Sequence, residues 1–190
     1  MKYLIIFCLV SFSLTGSGQV TIKYDSVHKI SCKIQPLKKN WSFCECFNYV
    51  GKLESVGYCY MGKKSGHWKL YDNGIFIKEG EYKNDMKNGM WKEFFLDGNE
   101  LYTGSYKNDI KEGKWEIFHS DNEDLRHVQK VSKKSIRKSI HYKNGQFDGD
   151  YYEYFTSGKV KIKGKYINGK KTGYWKYFDQ EGRIIKIEKL

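Results

Sequence analysis

The sequence predicts an all-β fold, an elongated antiparallel sheet built from stacked hairpin repeats, and three observations support it. First, five segments spaced about 24 residues apart share one pattern of Gly, Tyr and Trp. Second, the loops between apolar runs carry Asn-Gly and Asp-Gly, which supply the positive φ angles that tight hairpin turns require. Third, the 190-residue chain contains no Ala, and aromatic residues make up 17% of it. This composition disfavours helical bundles and doubly wound α/β enzymes.

Residues 1–18 are predicted to be a signal peptide. Lys2 precedes an apolar run, Tyr3 to Leu14, and a zone of small residues follows with a cleavage point after Gly18. The run is shorter than the roughly 18 residues needed to span a bilayer. We therefore expect export to the periplasm, the envelope or the outside of the cell. A buried N-terminal strand is the alternative interpretation.

Residues 19–50 are predicted to form a β cap that precedes the repeats. Val20 to Tyr24 and His28 to Ile34 alternate apolar and polar residues, as half-buried strands do. A degenerate extra hairpin is predicted to begin at Trp41 and to end near Gly51. A cap of this kind protects the open edge that the end of a repeat sheet exposes.

Four cysteines remain after the predicted cleavage, an even number in a compartment that favours disulfides. Cys44 and Cys46 stand too close on one strand to bond with each other, so each is expected to pair with Cys32 or Cys59. A zinc site made of all four thiolates is an alternative, although the C-x-C spacing fits it poorly. Free thiols are the third interpretation.

Residues 51–190 carry the repeats. A Gly stands eleven residues before each Trp in four copies, and the fifth copy has Ile140 and Tyr151 in these places. The four pairs are Gly57 with Trp68, Gly80 with Trp91, Gly104 with Trp115, and Gly164 with Trp175. Another aromatic residue follows three positions after each Trp. On a flat strand it would face the opposite side, so either a bulge intervenes or both faces carry aromatic residues.

Segments such as Gly80 to Phe95 and Gly164 to Trp175 resemble the MORN-repeat variant family, and the resemblance covers about residues 51–190. It implies an elongated antiparallel sheet of stacked hairpins. It also implies a scaffold role in protein contacts or membrane association, and many bacterial members of the variant family are labelled antitoxin component. The resemblance is specific for architecture rather than for function.

The chain is basic, with 34 Lys and Arg against 22 Asp and Glu, a net charge of +12. The repeat spacing is broken by an insertion at about residues 119–139, where a cluster of cations is a candidate site for an anionic partner. A solvated loop is the alternative. The cluster consists of Lys130, Lys133, Lys134, Arg137 and Lys138. Nucleic acid is disfavoured because Arg, the usual reader of bases and phosphates, occurs at three positions in the whole chain.

No nucleotide-binding loop, zinc-protease motif or nucleophile elbow occurs in the sequence, and the histidines are not spaced as metal ligands. We therefore expect no catalytic residues, no cofactor and no metal site. The expected function is that of an exported, non-enzymatic scaffold at the cell envelope whose partner is a macromolecule, most simply a protein. Two alternatives stay open, an antitoxin-like or immunity-like protein that neutralises a toxin, and a binder of anionic lipid or glycan.

Overall fold

A computed structural model of the chain describes residues 8–10, 20–120 and 134–190. These residues contain no helix, and antiparallel hairpins follow one another in chain order, so the predicted all-β hairpin fold is confirmed. The chain divides into two compact units, residues 1–87 and 88–190. Most of the predicted signal peptide lies outside the described residues, and export stays a prediction.

In the described part of the first unit, strands β1 to β7 each run antiparallel to their neighbours in sequence. Their bounds are Cys8–Val10 (β1), Thr21–Asp25 (β2), Ile30–Pro36 (β3), Trp41–Phe47 (β4), Leu53–Tyr60 (β5), Lys63–Asp72 (β6) and Ile75–Lys83 (β7). The backbone of β1 lies within the apolar run of the predicted signal peptide and pairs with β2. The short strands predicted within Val20 to Tyr24 and His28 to Ile34 correspond to β2 and β3. The extra hairpin predicted from Trp41 to near Gly51 is wrong in extent, because this stretch holds the single strand β4, which pairs with β5 beyond Gly51.

The second unit repeats the same antiparallel pattern from β8 to β15. The bounds are Met86–Phe94 (β8), Glu100–Lys107 (β9), Ile110–Phe118 (β10), Ile136–Lys143 (β11), Gln146–Tyr154 (β12), Val160–Ile167 (β13), Lys170–Phe178 (β14) and Ile184–Lys189 (β15). The predicted insertion, about residues 119–139, begins after β10 and ends within β11, and these two strands pair with each other. Its residues 121–133 lie outside the described part of the chain.

The Asn-Gly turns have the backbone geometry that their sequence predicts. Between β11 and β12, φ is +51° at Asn144 and +79° at Gly145, a left-handed conformation that these two residues adopt at least cost. The Gly145 N–H also donates to the backbone carbonyl of Lys111 at 3.0 Å, and the Gly169 N–H donates to that of Phe147 at 2.8 Å. The turns therefore bond neighbouring hairpins to one another as well as closing their own strands.

Three of the Trp rings of the repeats pack over a glycine of the preceding strand. Trp68 is 1% exposed, and its ring lies against Gly57 of β5. In the second unit the same arrangement holds for Trp115 with Gly104 and for Trp175 with Gly164. A side chain on these glycines would occupy the space of the indole ring. The eleven-residue spacing thus reflects a contact between two paired strands.

The repeat that lacks the Gly/Trp pair differs at three positions together. Ile140 stands directly across from Trp115 on one side and from Tyr151 on the other. Phe147 stands four residues before Tyr151, where the other repeats have Lys, and its ring lies 5.0 and 5.1 Å from two neighbouring Tyr rings. Ile140 and Phe147 therefore supply apolar volume beside Tyr151, whose single ring is smaller than an indole.

Aromatic side chains lie on both faces of the second unit. In β12 the rings of Tyr152 and Tyr154 stack with their centroids 6.1 Å apart. Residues two apart on a strand share a face, so this pair lies opposite Tyr151. The register of β12 against β13 also shifts between Glu153 and Tyr154. Glu153 pairs with Ile162 and Tyr154 with Val160, so the extra residue of this shift lies on β13 and not between Tyr151 and Tyr154. Of the two alternatives that the sequence left open, this repeat therefore has aromatic residues on both faces.

Candidate functional site

Strands β3 to β5 carry the four cysteines on one face. Cys32 and Cys46 stand directly opposite each other on β3 and β4, with their Cα atoms 4.0 Å apart, and their sulfurs are bonded. This bond agrees with the predicted pairing of Cys46 with Cys32 or Cys59. It also removes two of the four thiolates that the zinc alternative required.

The Cys44 and Cys59 sulfurs approach to 2.7 Å without being bonded. Both side chains are buried, Cys44 at 3% exposure, in one core cluster with Trp68. The hydrogen bond between the sulfurs lowers the pKa of Cys44 and raises the pKa of Cys59, because one proton serves both groups. The positive charges of Lys23 and Lys64 lower the pKa of Cys44 further. Cys44 is therefore the member of the pair that more readily becomes a thiolate, the reactive form of cysteine.

Lys64 lies beside this cluster at the start of β6. Its backbone N–H donates to Oδ1 of Asp85 at 2.7 Å, and its Nζ lies 4.5 Å from the centroid of the Trp68 ring. Burial lowers the pKa of Lys64, although the negative charge of Asp85 opposes this shift. The ammonium group is thus held over an aromatic ring close to the thiol pair.

The opposite face of β4 and β5 carries four aromatic side chains, here named the aromatic patch: Trp41, Phe43, Tyr58 and Tyr60. Trp41 faces Tyr60 with ring centroids 5.2 Å apart, and Phe43 faces Tyr58 at 5.5 Å. Trp41 is 38% exposed and Tyr58 is 44% exposed. The backbone carbonyl of Tyr58 accepts a hydrogen bond from Nε1 of Trp68 at 2.7 Å, which fixes the strand beneath the patch. The patch is thus an ordered apolar surface in contact with solvent.

One ion pair lies next to the patch. On the same face, Nζ of Lys33 lies 3.9 Å from Oε2 of Glu45, whose neighbour two residues earlier is Phe43. An exposed pair of this kind contributes little energy, and its charges compensate each other. The aromatic patch therefore has no strong local charge of either sign from this pair.

The predicted basic cluster is only partly described, because Lys130 and Lys133 lie outside the described residues. Nζ of Lys134 lies 2.8 Å from Oε2 of Glu100 and 4.2 Å from the centroid of the Phe118 ring. Arg137 and Lys138 are half-buried on β11. Nζ of Lys138 lies 3.6 Å from Oε2 of Glu153. The structure thus places Lys134 in an ion pair with an acid of β9 and Lys138 in an ion pair with an acid of β12.

Two further observations concern the part of the chain that the structure describes. Its His, Cys, Asp and Glu side chains do not gather in groups of three or more that could hold a metal ion. It also contains no helix with the length and hydropathy needed to cross a bilayer.

Neither the models of known protein families nor the curated proteins include a match to this chain. Sequence reasoning identified the four cysteines but not the aromatic patch. The signal was present in the alternation of aromatic residues with Cys along Trp41 to Phe47 and Tyr58 to Tyr60, which places the two kinds of side chain on opposite faces.

Proposed function

We propose that this chain is an exported, non-enzymatic repeat protein of the MORN-like type that acts as a scaffold for a partner protein at the cell envelope. The observation that carries the proposal is the aromatic patch. Trp and Tyr are the residues most enriched at the energetic centres of protein interfaces, and Phe is also enriched there. An ordered cluster of them on an open sheet face is a surface that a protein partner can cover.

The geometry of the rings favours a protein partner over the alternatives. The Trp41 and Tyr60 rings are inclined at 51°, and the Phe43 and Tyr58 rings at 65°, so the patch presents ring edges as well as faces. Such a surface suits apolar and aromatic side chains, which pack in offset and edge-on arrangements.

The export part of the proposal rests on the sequence. The basic residue, apolar run and small-residue zone of residues 1–18 follow the order of a secretory signal. The Cys32–Cys46 bond is compatible with this location, because disulfides persist in oxidising compartments. The MORN-like resemblance of residues 51–190 adds an architecture that is used for scaffolds.

The test uses the full chain in its native cells, cross-linked at the envelope. Trp41→Ser and Tyr58→Ser remove parts of the patch, and Tyr174→Ser is the matched control, because Tyr174 is 59% exposed and lies in the second unit. We expect a cross-linked partner protein whose Kd, measured with purified proteins, rises at least about 10-fold for the patch variants and stays unchanged for the control.

Two results would overturn the proposal. One is a partner whose Kd is equal for the wild type and both patch variants. The other is an uncleaved chain that fractionates with the cytosol. Circular dichroism spectra and thermal unfolding of each variant establish that a change in Kd does not come from unfolding.

A further inference from the structure

The cysteine face of β3 to β5 holds a bonded pair, Cys32 with Cys46, and an unbonded pair, Cys44 with Cys59. The unbonded sulfurs are 2.7 Å apart, whereas a disulfide bond measures about 2.0 Å. Cys59 stands directly opposite Ser42, two residues from Cys44, on strands that are already paired. Bond formation therefore needs an approach of about 0.7 Å between the sulfurs and leaves the β4–β5 register unchanged.

We propose that Cys44 and Cys59 form a second disulfide, closed by thiol–disulfide exchange with a low-molecular-weight disulfide such as oxidised glutathione. The proposal goes beyond the scaffold function and does not depend on any partner. It assigns a chemical modification to two buried residues whose sulfurs the fold already holds together.

The exchange proceeds in two balanced steps. The Cys44 thiolate attacks one sulfur of the oxidant, so a mixed disulfide forms and one small thiolate leaves. Cys59 then loses its proton and attacks the Cys44 sulfur, which expels the second small thiolate. The two cysteines lose two electrons and two protons, and the oxidant is reduced to two thiols. The lowered pKa of Cys44 favours it as the first nucleophile, because the thiolate is the attacking form.

The second bond would complete an interlaced framework. Cys44 lies inside the loop closed by Cys32 and Cys46, and Cys46 lies inside the loop that Cys44 and Cys59 would close. Strand β4 is then joined covalently to β3 on one side and to β5 on the other. The aromatic patch lies on the opposite face of β4 and β5, so the same two strands carry the cross-link and the exposed rings.

Burial determines how the reaction must be run. Both sulfurs are covered by the Trp68 cluster, so the oxidant reaches them when β4 and β5 separate. The full chain is therefore equilibrated with reduced and oxidised glutathione in mild urea, returned to buffer, unfolded and alkylated. Cleavage after Glu45 puts Cys44 and Cys46 on different peptides, which makes the connectivity readable by mass spectrometry.

Two double variants make the result decisive. In Cys32→Ser/Cys46→Ser we expect the loss of two hydrogens on oxidation and a peptide that joins Cys44 to Cys59. In Cys44→Ser/Cys59→Ser we expect the loss of two hydrogens at the other pair. The wild type is expected to show both linkages. If a double variant fails to fold, the peptide map of the wild type therefore still tests the proposed Cys44–Cys59 bond. Alkylation of Cys44 and Cys59 in the wild type at every glutathione ratio, or crossed linkages, would overturn the proposal.

Discussion

The Trp68 ring lies so close to Gly57 that a Cβ on Gly57 would stand 2.5 Å from the ring carbon Cγ. Nonbonded carbon atoms pack at about 3.5–4.0 Å, so no larger residue fits there while the ring keeps its place. The same Cβ would also lie 2.7 Å from the backbone carbonyl oxygen of His67, which cannot rotate away. Position 57 therefore requires glycine, because the Trp68 ring occupies the space that a side chain would need.

We predict that Gly57→Ala lowers the free energy of unfolding by about 1–3 kcal/mol, because the added methyl group overpacks the ring. Urea denaturation of the full chain measures this. The cost should be smaller in a Trp68→Ala background, where the ring is absent, and the coupling can be read from the double-mutant cycle. Gly62→Ala is the control, since it meets no atom within 4 Å and its strain comes from φ of +77°. Equal costs of Gly57→Ala in both backgrounds would contradict the prediction.

A second prediction concerns Ile140, which fills the place of Gly between Trp115 and Tyr151. Ile140→Ala should lower the free energy of unfolding by about 2–4 kcal/mol, because it leaves a cavity between two rings. In a Tyr151→Trp background the larger ring occupies part of that cavity, so the loss should be smaller. If urea denaturation shows the same loss for Ile140→Ala in the wild-type and the Tyr151→Trp backgrounds, the residues at positions 140 and 151 do not compensate each other in volume.

The third prediction is a dependence on pH at Glu153. Burial acts to raise the pKa of Glu153, but the hydrogen bond from Lys161 at 3.1 Å, the charge of Lys138 and the Tyr151 hydroxyl outweigh it, and the net pKa is lowered. A lowered pKa in the folded state means that Glu153 stabilises the fold above its unfolded pKa. The contribution is lost as the pH falls through the folded pKa.

Glu153→Gln should therefore lower the free energy of unfolding by about 1–2 kcal/mol at pH 7, and the difference from the wild type should vanish in acid. Urea midpoints from neutral pH to pH 3 measure the effect. Glu181→Gln serves as the control, because the side chain of Glu181 is 63% exposed and its ion pair with Arg183 contributes little. A difference at Glu153 that does not change with pH would show that the charge is not its origin.

The fourth prediction separates stability from binding at Lys138. Lys138→Met keeps most of the aliphatic stem and removes the charge that lies 3.6 Å from Glu153. We expect a loss of about 0.5–1 kcal/mol in the free energy of unfolding and a less than about 2-fold change in the Kd of the partner that the aromatic patch binds. A large rise in Kd at unchanged stability would instead assign the partner to the predicted basic cluster.

The sequence was sufficient to predict the hairpins and their aromatic columns, because both are determined over short stretches of chain. Asn144 and Gly145 specify their turn by their own φ preferences. Gly57 and Trp68 stand opposite each other on paired strands, and the same spacing recurs in other repeats. The periodicity of the sequence is therefore enough to predict this contact. The choice between a bulge and aromatic residues on both faces needed coordinates, because no turn residue indicates whether the alternation along β12 is interrupted.

Pairings across several strands were not predictable in the same way. The sequence excluded a bond between Cys44 and Cys46, but the choice of Cys32 for Cys46 depends on a register that a shift of one residue would change. The acid partner of Lys134 is Glu100, 34 residues earlier in the chain. Nothing in the composition of the basic segment indicates that neighbour, because it is brought close by the order of strands β9, β10 and β11.

The contact of the Trp68, Trp115 and Trp175 rings with a glycine on the preceding strand also limits how such a chain can lengthen or shorten. If a deletion begins at the turn between β5 and β6, it removes Trp68 but keeps Gly57, and the contact between them is lost. A segment that begins at the glycine and ends before the next one carries the matched pair with it. Duplication or grafting of repeats should therefore succeed in that frame, and the variant set of Ile140, Phe147 and Tyr151 should be transplanted as one block.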